Sequence, residues 1–397
     1  MVMPMSKKGI FIVGLLLLAL AALAQYTFDW VGVGAQDMRM ESTGQGVTYA
    51  LDANPSFHSN NSRFYFFATR SGIRYTSSGG ETRNCWQDSF SLTRPQMVTY
   101  GDIVAVSEDD QGRIIHVYNT DGRMYYVTFN NPVRYFSVNG QGDLSVITQS
   151  DGIYSIYMID RRDPTQRRFI FRYHLSDNPM RFPVAVELSE DGSYIAIAYL
   201  NLYRHLVTEI EFHFTDGRGL FGTESLFAWT SLPQDEMILT MRFMAGNRLL
   251  LVTDSQITLQ GVADSGIEEV WAEPLYNRLD QLAFCGNSRF AFVSGAPTSP
   301  DGRDADPVGT VNIFDLNGLT GRFYLGRRAT HLSMGHNAVI VGADRYFVAV
   351  NSRGAMLWQH TVFHDVRDMI FLDNTDTVLI AGPNRADVWR RQRTRNE

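Results

Sequence analysis

Residues 337–363 read NAVIVGADRYFVAVNSRGAMLWQHTVF. Three strands follow one another here. Residues 337–343 are almost continuously apolar, as in a strand covered on both faces. Residues 346–352, YFVAVNS, form a second β-rich run after a short polar turn. Residues 355–363 carry a central Trp358 in an alternating strand. Three short strands joined by tight turns cannot bury their apolar faces alone, so the unit calls for copies of itself.

Copies run along the whole chain after residue 44, about every 44 residues. The apolar strand occurs eight times: RFYFFAT, DIVAVSE, DLSVITQ, SYIAIAY, RLLLVTD, RFAFVSG, NAVIVGA and DTVLIAG. The aromatic strand occurs seven times, around Trp86, Tyr126, Phe171, Trp229, Trp271, Tyr324 and Trp358. Third strands such as RIIHVYN, GIYSIYMID and TVNIFDL lie between them. Asp121-Gly122, Asp151-Gly152, Asp191-Gly192 and Asp216-Gly217 supply hairpin turns. No long stripe of helical period interrupts the pattern. The fourth repeat is the longest (182–232), the sixth carries an insertion (Ala296 to Gly309), and the seventh is the shortest.

The eighth aromatic strand is missing at the C-terminus. GVTYALDANP, residues 46–55, matches YVTFNNP in form and stands before the first apolar strand. If it pairs with the last repeat, a ring closes and no sheet edge stays open. The expectation is an all-β propeller, eight four-stranded blades over residues 44–391. Seven blades is the alternative, with GVTYALDA as a linker strand.

Ahead of the repeats, Gly9 to Phe28 contain no charged side chain, and Lys7 and Lys8 precede them. About 20 such residues in a helix span a bilayer core. The positive-inside rule places residues 1–8 in the cytoplasm, a transmembrane helix at 9–28, a linker at 29–43, and the propeller outside the cell. Residues 392–397 form a tail. Ala22-Leu23-Ala24 before Gln25 also fits a cleaved leader, which would secrete the same propeller. No Cys follows the apolar run, so a lipoprotein anchor is excluded.

Composition limits the function. The chain has 397 residues, 44% hydrophobic and 12% aromatic, with 33 Gly. Net charge −7 is not the basic balance of a nucleic-acid binder. Two cysteines, Cys85 and Cys285, fall in different repeats, which argues against a disulfide framework or a cysteine zinc site.

RGAMLWQHTV (353–362) and SGIEEVWAEPL (265–275) are typical of the outer strand of PQQ-like and YVTN-like repeats. With the Lys-flanked apolar segment ahead of them, the chain resembles the DUF5711 family of clostridial-type bacteria. The resemblance implies a membrane-anchored propeller and no assigned activity. Related repeats build outer-membrane assembly scaffolds and quinoprotein dehydrogenases, which set two functional alternatives.

Candidate sites are few. Quinoproteins of this class have a vicinal cysteine pair, a Trp floor and acidic Ca²⁺ ligands. Cys85 and Cys285 are not adjacent. Trp86, Trp229, Trp271 and Trp358 read as packing between neighbouring blades. Asp301, Asp304 and Asp306 share the insertion of the sixth repeat, as Ca²⁺ ligands or as a solvated loop. His331, His336, His360 and His364 fall on strands and strand ends, where their spacing implies no metal geometry. Arg161, Arg162, Arg167 and Arg168 flank a hairpin. Arg390, Arg391, Arg393 and Arg395 form a basic end that would meet anionic lipid or wall polymer, or water. No P-loop, nucleophile elbow or zincin motif occurs.

The expected role is therefore a membrane-tethered scaffold for an envelope protein or polymer, with no catalytic residue, cofactor or metal assigned. A channel enzyme, redox or glycan-active, is the alternative. It would need inward-facing acidic, His or Arg residues clustered at one channel mouth. Ligand sensing through the apolar helix has too little cytoplasmic chain for a signalling domain.

Overall fold

A computed structural model describes residues 40–51, 55–59, 63–108, 112–174, 180–203, 205–215, 226–298, 305–372 and 376–391, with the side chains of 167–174 excepted. Every regular element among them is a strand. The strands form eight antiparallel sheets of four, arranged in a ring. Blades 1 to 7 are residues 56–89, 95–128, 133–174, 181–231, 238–274, 277–324 and 331–361. Blade 8 combines residues 368–391 with the N-terminal strand Met40–Thr48. The protein is an eight-bladed β-propeller.

Within each blade the chain runs outward from the channel. The eight apolar stretches are all second strands. In Ala338–Ala343 every residue is buried, because neighbouring blades cover both faces. The outer strand Gly266–Pro274 is half solvated and alternates accordingly. At Asp151-Gly152 both residues take positive φ (51° and 76°), as a two-residue hairpin turn of this hand requires. Asp216-Gly217 lies outside the described residues.

The ring is closed by an antiparallel pairing of Met40–Thr48 with Arg385–Arg391. The closing strand thus ends at Thr48 and starts at Met40, in place of residues 46–55, and takes in residues 40–43 of the expected linker. A register shift between Ser42 and Gly46 lets the strand continue. Met40 is buried at its far end, packed with Trp358 and Met369. Residues 49–51 leave this strand towards blade 1, and the Tyr49 hydroxyl donates to the Gly382 carbonyl at 2.6 Å.

Alternating strand directions give the disc two faces. The connector face gathers the links between blades and the turns between second and third strands. The hairpin face gathers the other two turns of each blade. Outer strands run from hairpin face to connector face, so the chain preceding Met40 departs from the hairpin face.

Outer-strand aromatics do not all point the same way. Trp86 stacks on Tyr118 of blade 2 at 5.5 Å and donates its indole N–H to the Thr120 carbonyl. Trp271 repeats this on Phe314 and Leu316 of blade 6. Trp358 is 2% exposed, packed against blade 8. Trp229 is 65% exposed, which corrects its expected packing between blades. Tyr126 and Tyr324 are also exposed.

A bulge explains the difference. In blade 5 Val270 is the extra residue and Trp271 follows it; in blade 7 the pair is Leu357 and Trp358. The residue after the bulge faces the next blade. In blade 4 that place belongs to Ala228, so Trp229 lies one residue further on and faces water. In blade 2 it belongs to Tyr125, and Tyr126 faces out. In blade 6 it belongs to Gly321, where a Cβ would stand 2.4 Å from the Arg353 carbonyl carbon.

Candidate functional site

Two regions combine exposure or charge with a defined geometry. The first is the end of the central channel at the hairpin face. Several inner strands carry a polar residue there. Tyr100 ends the inner strand of blade 2, Tyr135 lies in that of blade 3, Glu187 in blade 4 and Arg242 in blade 5.

Arg242 reaches across the ring. Its guanidinium lies 4.9 Å from the ring of Tyr100, three blades away, and 4.5 Å from that of Phe284 in blade 6. Its Nη2 donates to the Gly286 carbonyl at 3.4 Å, and its Nε is buried without an acceptor. Asn287 donates to Glu190 Oε1 at 2.7 Å, joining blades 6 and 4. His58 of blade 1 donates from Nε2 to the Gly101 carbonyl at 2.7 Å. Burial holds its imidazole below the usual histidine range, so the ring is neutral. These cross-ring contacts narrow the channel at this end.

Glu187 is buried and accepts from the Tyr135 hydroxyl at 3.1 Å. Desolvation pushes its carboxyl up to about 8, against the opposing pull of Arg242. Burial likewise raises Tyr100 to about 12. At neutral pH the cluster therefore holds a fixed guanidinium beside a protonated carboxyl. A carboxyl whose folded value is raised binds more protons folded than unfolded. The stability it supports is full below its unfolded value of 4.5 and is lost as pH rises through 8. Glu187→Gln is expected to flatten that fall. Thermal unfolding of both proteins from pH 5 to 9 checks this: parallel curves would show that Glu187 ionises as in the unfolded chain.

The second region is the connector face. Leu51, Tyr203, Met237, Tyr276 and Phe363 are all exposed there, Phe363 by 94%. Each lies in a blade connector or in a turn between second and third strands. A groove of about 590 Å³ opens between blades 5 and 6, with Met237, Leu239, Leu275 and Leu279 in its wall and Arg278 at its rim. Its acidic groups hold the walls. Glu236 is buried and accepts from Thr253 and Gln256, and Asp254 accepts the Met237 N–H at 3.0 Å.

The residues singled out in the sequence are dispersed. Cys85 lies at the hairpin face of blade 1 and Cys285 in the buried core of blade 6, and neither is in a disulfide. Asp306 accepts from Ser294 and Asn312 and braces its own loop; Asp301 and Asp304 lie outside the described residues. His331 is in an inner strand, His336 in the turn beyond it, His360 against Trp389 at 4.9 Å, and His364 bound to a neighbouring backbone carbonyl. Among the described residues no three His, Cys, Asp or Glu side chains form a metal-sized group. Arg161 and Arg162 occupy a hairpin turn, and Arg167 and Arg168 the outer strand after it. Arg390 and Arg391 belong to blade 8, where Arg391 pairs with Asp376 at 3.4 Å; Arg393 and Arg395 lie outside the described residues. So do residues 9–28; among the described residues no helix is long and apolar enough to cross a membrane.

The channel cluster was not singled out in the sequence. Its signal is a charge among the mainly apolar residues at the channel end of an inner strand: Glu187 in RFPVAVEL and Arg242 in ILTMRFM.

Comparison with known proteins agrees with the fold. The profile of a family of unknown function, DUF5711, matches residues 62–390. No curated protein matches. Among solved structures, the C-terminal WD40 domain of Sif2 is similar at TM-score 0.55 and 10% identity, covering 90% of this chain and 99% of that one. BamB from Moraxella catarrhalis is similar at TM-score 0.48 and 13% identity, covering 90% and 100%. At these identities the likeness is one of fold alone.

Proposed function

We propose, from the premise that this chain belongs to the DUF5711 family of unknown function, that it is a membrane-tethered propeller that binds an envelope protein through its connector face. The observation that carries this reading is the placement of exposed apolar side chains on the face opposite the one from which the N-terminal chain departs. Scattered exposed apolar residues need no explanation, but a rigid face bearing Leu51, Tyr203, Met237, Tyr276 and Phe363 supports docking. With residues 9–28 in the bilayer, the connector to Met40 reaches at most roughly 40 Å. The hairpin face is then turned to the membrane and the connector face away from it. The groove between blades 5 and 6 offers a recess for an apolar side chain of the partner.

A photocrosslinking residue placed at Phe363 or Tyr276 in intact cells is expected to capture a reproducible envelope protein. The same group at Met356, near the hairpin face, is expected to capture it far less. Equal capture at the three positions, or none at native expression, would overturn the proposal.

The enzyme alternative asked for charged residues at one channel mouth, and the channel cluster meets that requirement. Its chemistry is one guanidinium, the protonated carboxyl of Glu187 and the carboxyl of Glu190 held by Asn287. That arrangement supports binding in the channel more directly than turnover.

A further inference from the structure

Arg242 is held unusually. Its guanidinium lies against two aromatic rings, Tyr100 and Phe284. It forms no ion pair among the described residues; Glu187 acts on it only through space. Its Nε is buried and unpaired, and its one hydrogen bond, to Gly286, is long at 3.4 Å. The residue as a whole is partly exposed, although its Nε is buried. Holding an uncompensated guanidinium in a partly desolvated place is costly unless an anion pairs with it.

The surroundings select the anion. One guanidinium matches one carboxylate, with two parallel N–H donors. The Tyr100 ring lies beside it, with its hydroxyl buried. Glu190, bound to Asn287 and close to Tyr100, adds negative charge to the same end of the channel. A dianion such as sulfate would meet that charge with no second cation to offset it. Aromatic rings around the guanidinium suit a small apolar body behind the carboxylate.

We propose that the Arg242 guanidinium is a channel site for the carboxylate of a small organic acid. The groups facing it are Tyr100, Tyr135, Glu187, Glu190 and His58 from the inner strands and turns of blades 1 to 4, and Phe284 with Asn287 from blade 6. Asp102, on an exposed turn, acts on His58. Of these, Glu187 changes charge near neutral pH. Its ionisation brings an internal anion to Arg242, so the site weakens as pH rises through 8.

Calorimetric titration of the full-length protein with acetate tests this, with acetamide as the neutral isostere and sulfate as the dianion. Acetate is expected to bind at pH 6 and the other two not. Arg242→Gln is expected to weaken acetate about tenfold or more, as loss of a charge-assisted bidentate pair does. Glu187→Gln keeps the guanidinium and is expected to bind acetate equally at pH 6 and pH 9, whereas the unaltered protein loses affinity at pH 9. This second variant decides the matter if Arg242→Gln fails to fold. Equal heats for acetate and acetamide, or affinity unchanged in folded Arg242→Gln, would overturn the proposal. Failure of this titration leaves the connector-face reading untouched, and failure of the crosslinking leaves the channel site untouched.

Discussion

A chain that begins at Tyr49 is expected to lose its sharp unfolding transition and to aggregate, while one that begins at Met40 keeps both solubility and cooperativity. The missing strand is the outer strand of blade 8. Without it, Arg385–Arg391 becomes an open edge carrying unpaired N–H and C=O groups, a template for pairing with another chain. Each net backbone hydrogen bond contributes about 1 kcal/mol, and the six paired positions of the closing strand share several of them. Burial of Met40 against Trp358 and Met369 is lost as well. The sum is several kcal/mol, a large part of the ~5–15 kcal/mol by which a domain is stable. A subtler lesion is Gly46→Val, because a Cβ there would stand 2.2 Å from the Ala386 carbonyl oxygen. Calorimetry and size-exclusion chromatography of the three proteins are the measurements. Unchanged transitions in both lesions would mean that the ring does not depend on this closure.

The second large effect separates two tryptophans that occupy similar strands. Trp358→Ala is expected to cost about 3–5 kcal/mol, the range for emptying a buried aromatic site. Trp229→Ala is expected to stay within about 0.5 kcal/mol of the unaltered protein. Urea denaturation with a common slope measures both. One bulge in each outer strand sets the difference. Trp358 follows Leu357, the extra residue of its strand, and faces blade 8. Trp229 lies one place beyond that position and is exposed. Similar losses for the two substitutions would show that Trp229 is covered in solution, as by a partner or a second copy of the chain.

The two tryptophans also mark where sequence reading stops. A central aromatic in an alternating strand identifies the strand, since aromatic and β-branched residues favour a pleated, half-buried surface. It does not identify the face. A single inserted residue turns every later side chain over, and the bulged residues Phe227, Val270 and Leu357 carry no common mark in the sequence. The closing strand shows a milder form of the same effect. GVTYALDANP pointed to the right end of the chain, but the register shift between Ser42 and Gly46 moved the paired stretch towards Met40. The chemistry of the cysteines, Asp306 and the histidines does not bring them together, since the ring spreads them over blades 1, 6 and 7 and the connector after blade 7.

The sequence by itself determined the architecture. Eight continuously apolar strands, each with a third strand and an outer strand, can bury their surfaces only against copies of themselves. A strand left over at one end and missing at the other requires a ring. Those are local patterns of burial, written in consecutive residues. The tertiary structure alone decided the site. Tyr100, Glu187, Arg242 and Asn287 are far apart in the chain and come from four blades. They meet because all inner strands converge on one axis, where short side-chain distances replace long separations along the chain. The same convergence desolvates Glu187 and, among the described residues, leaves Arg242 without an ion-pair partner, and that charge balance exists only once the ring is closed.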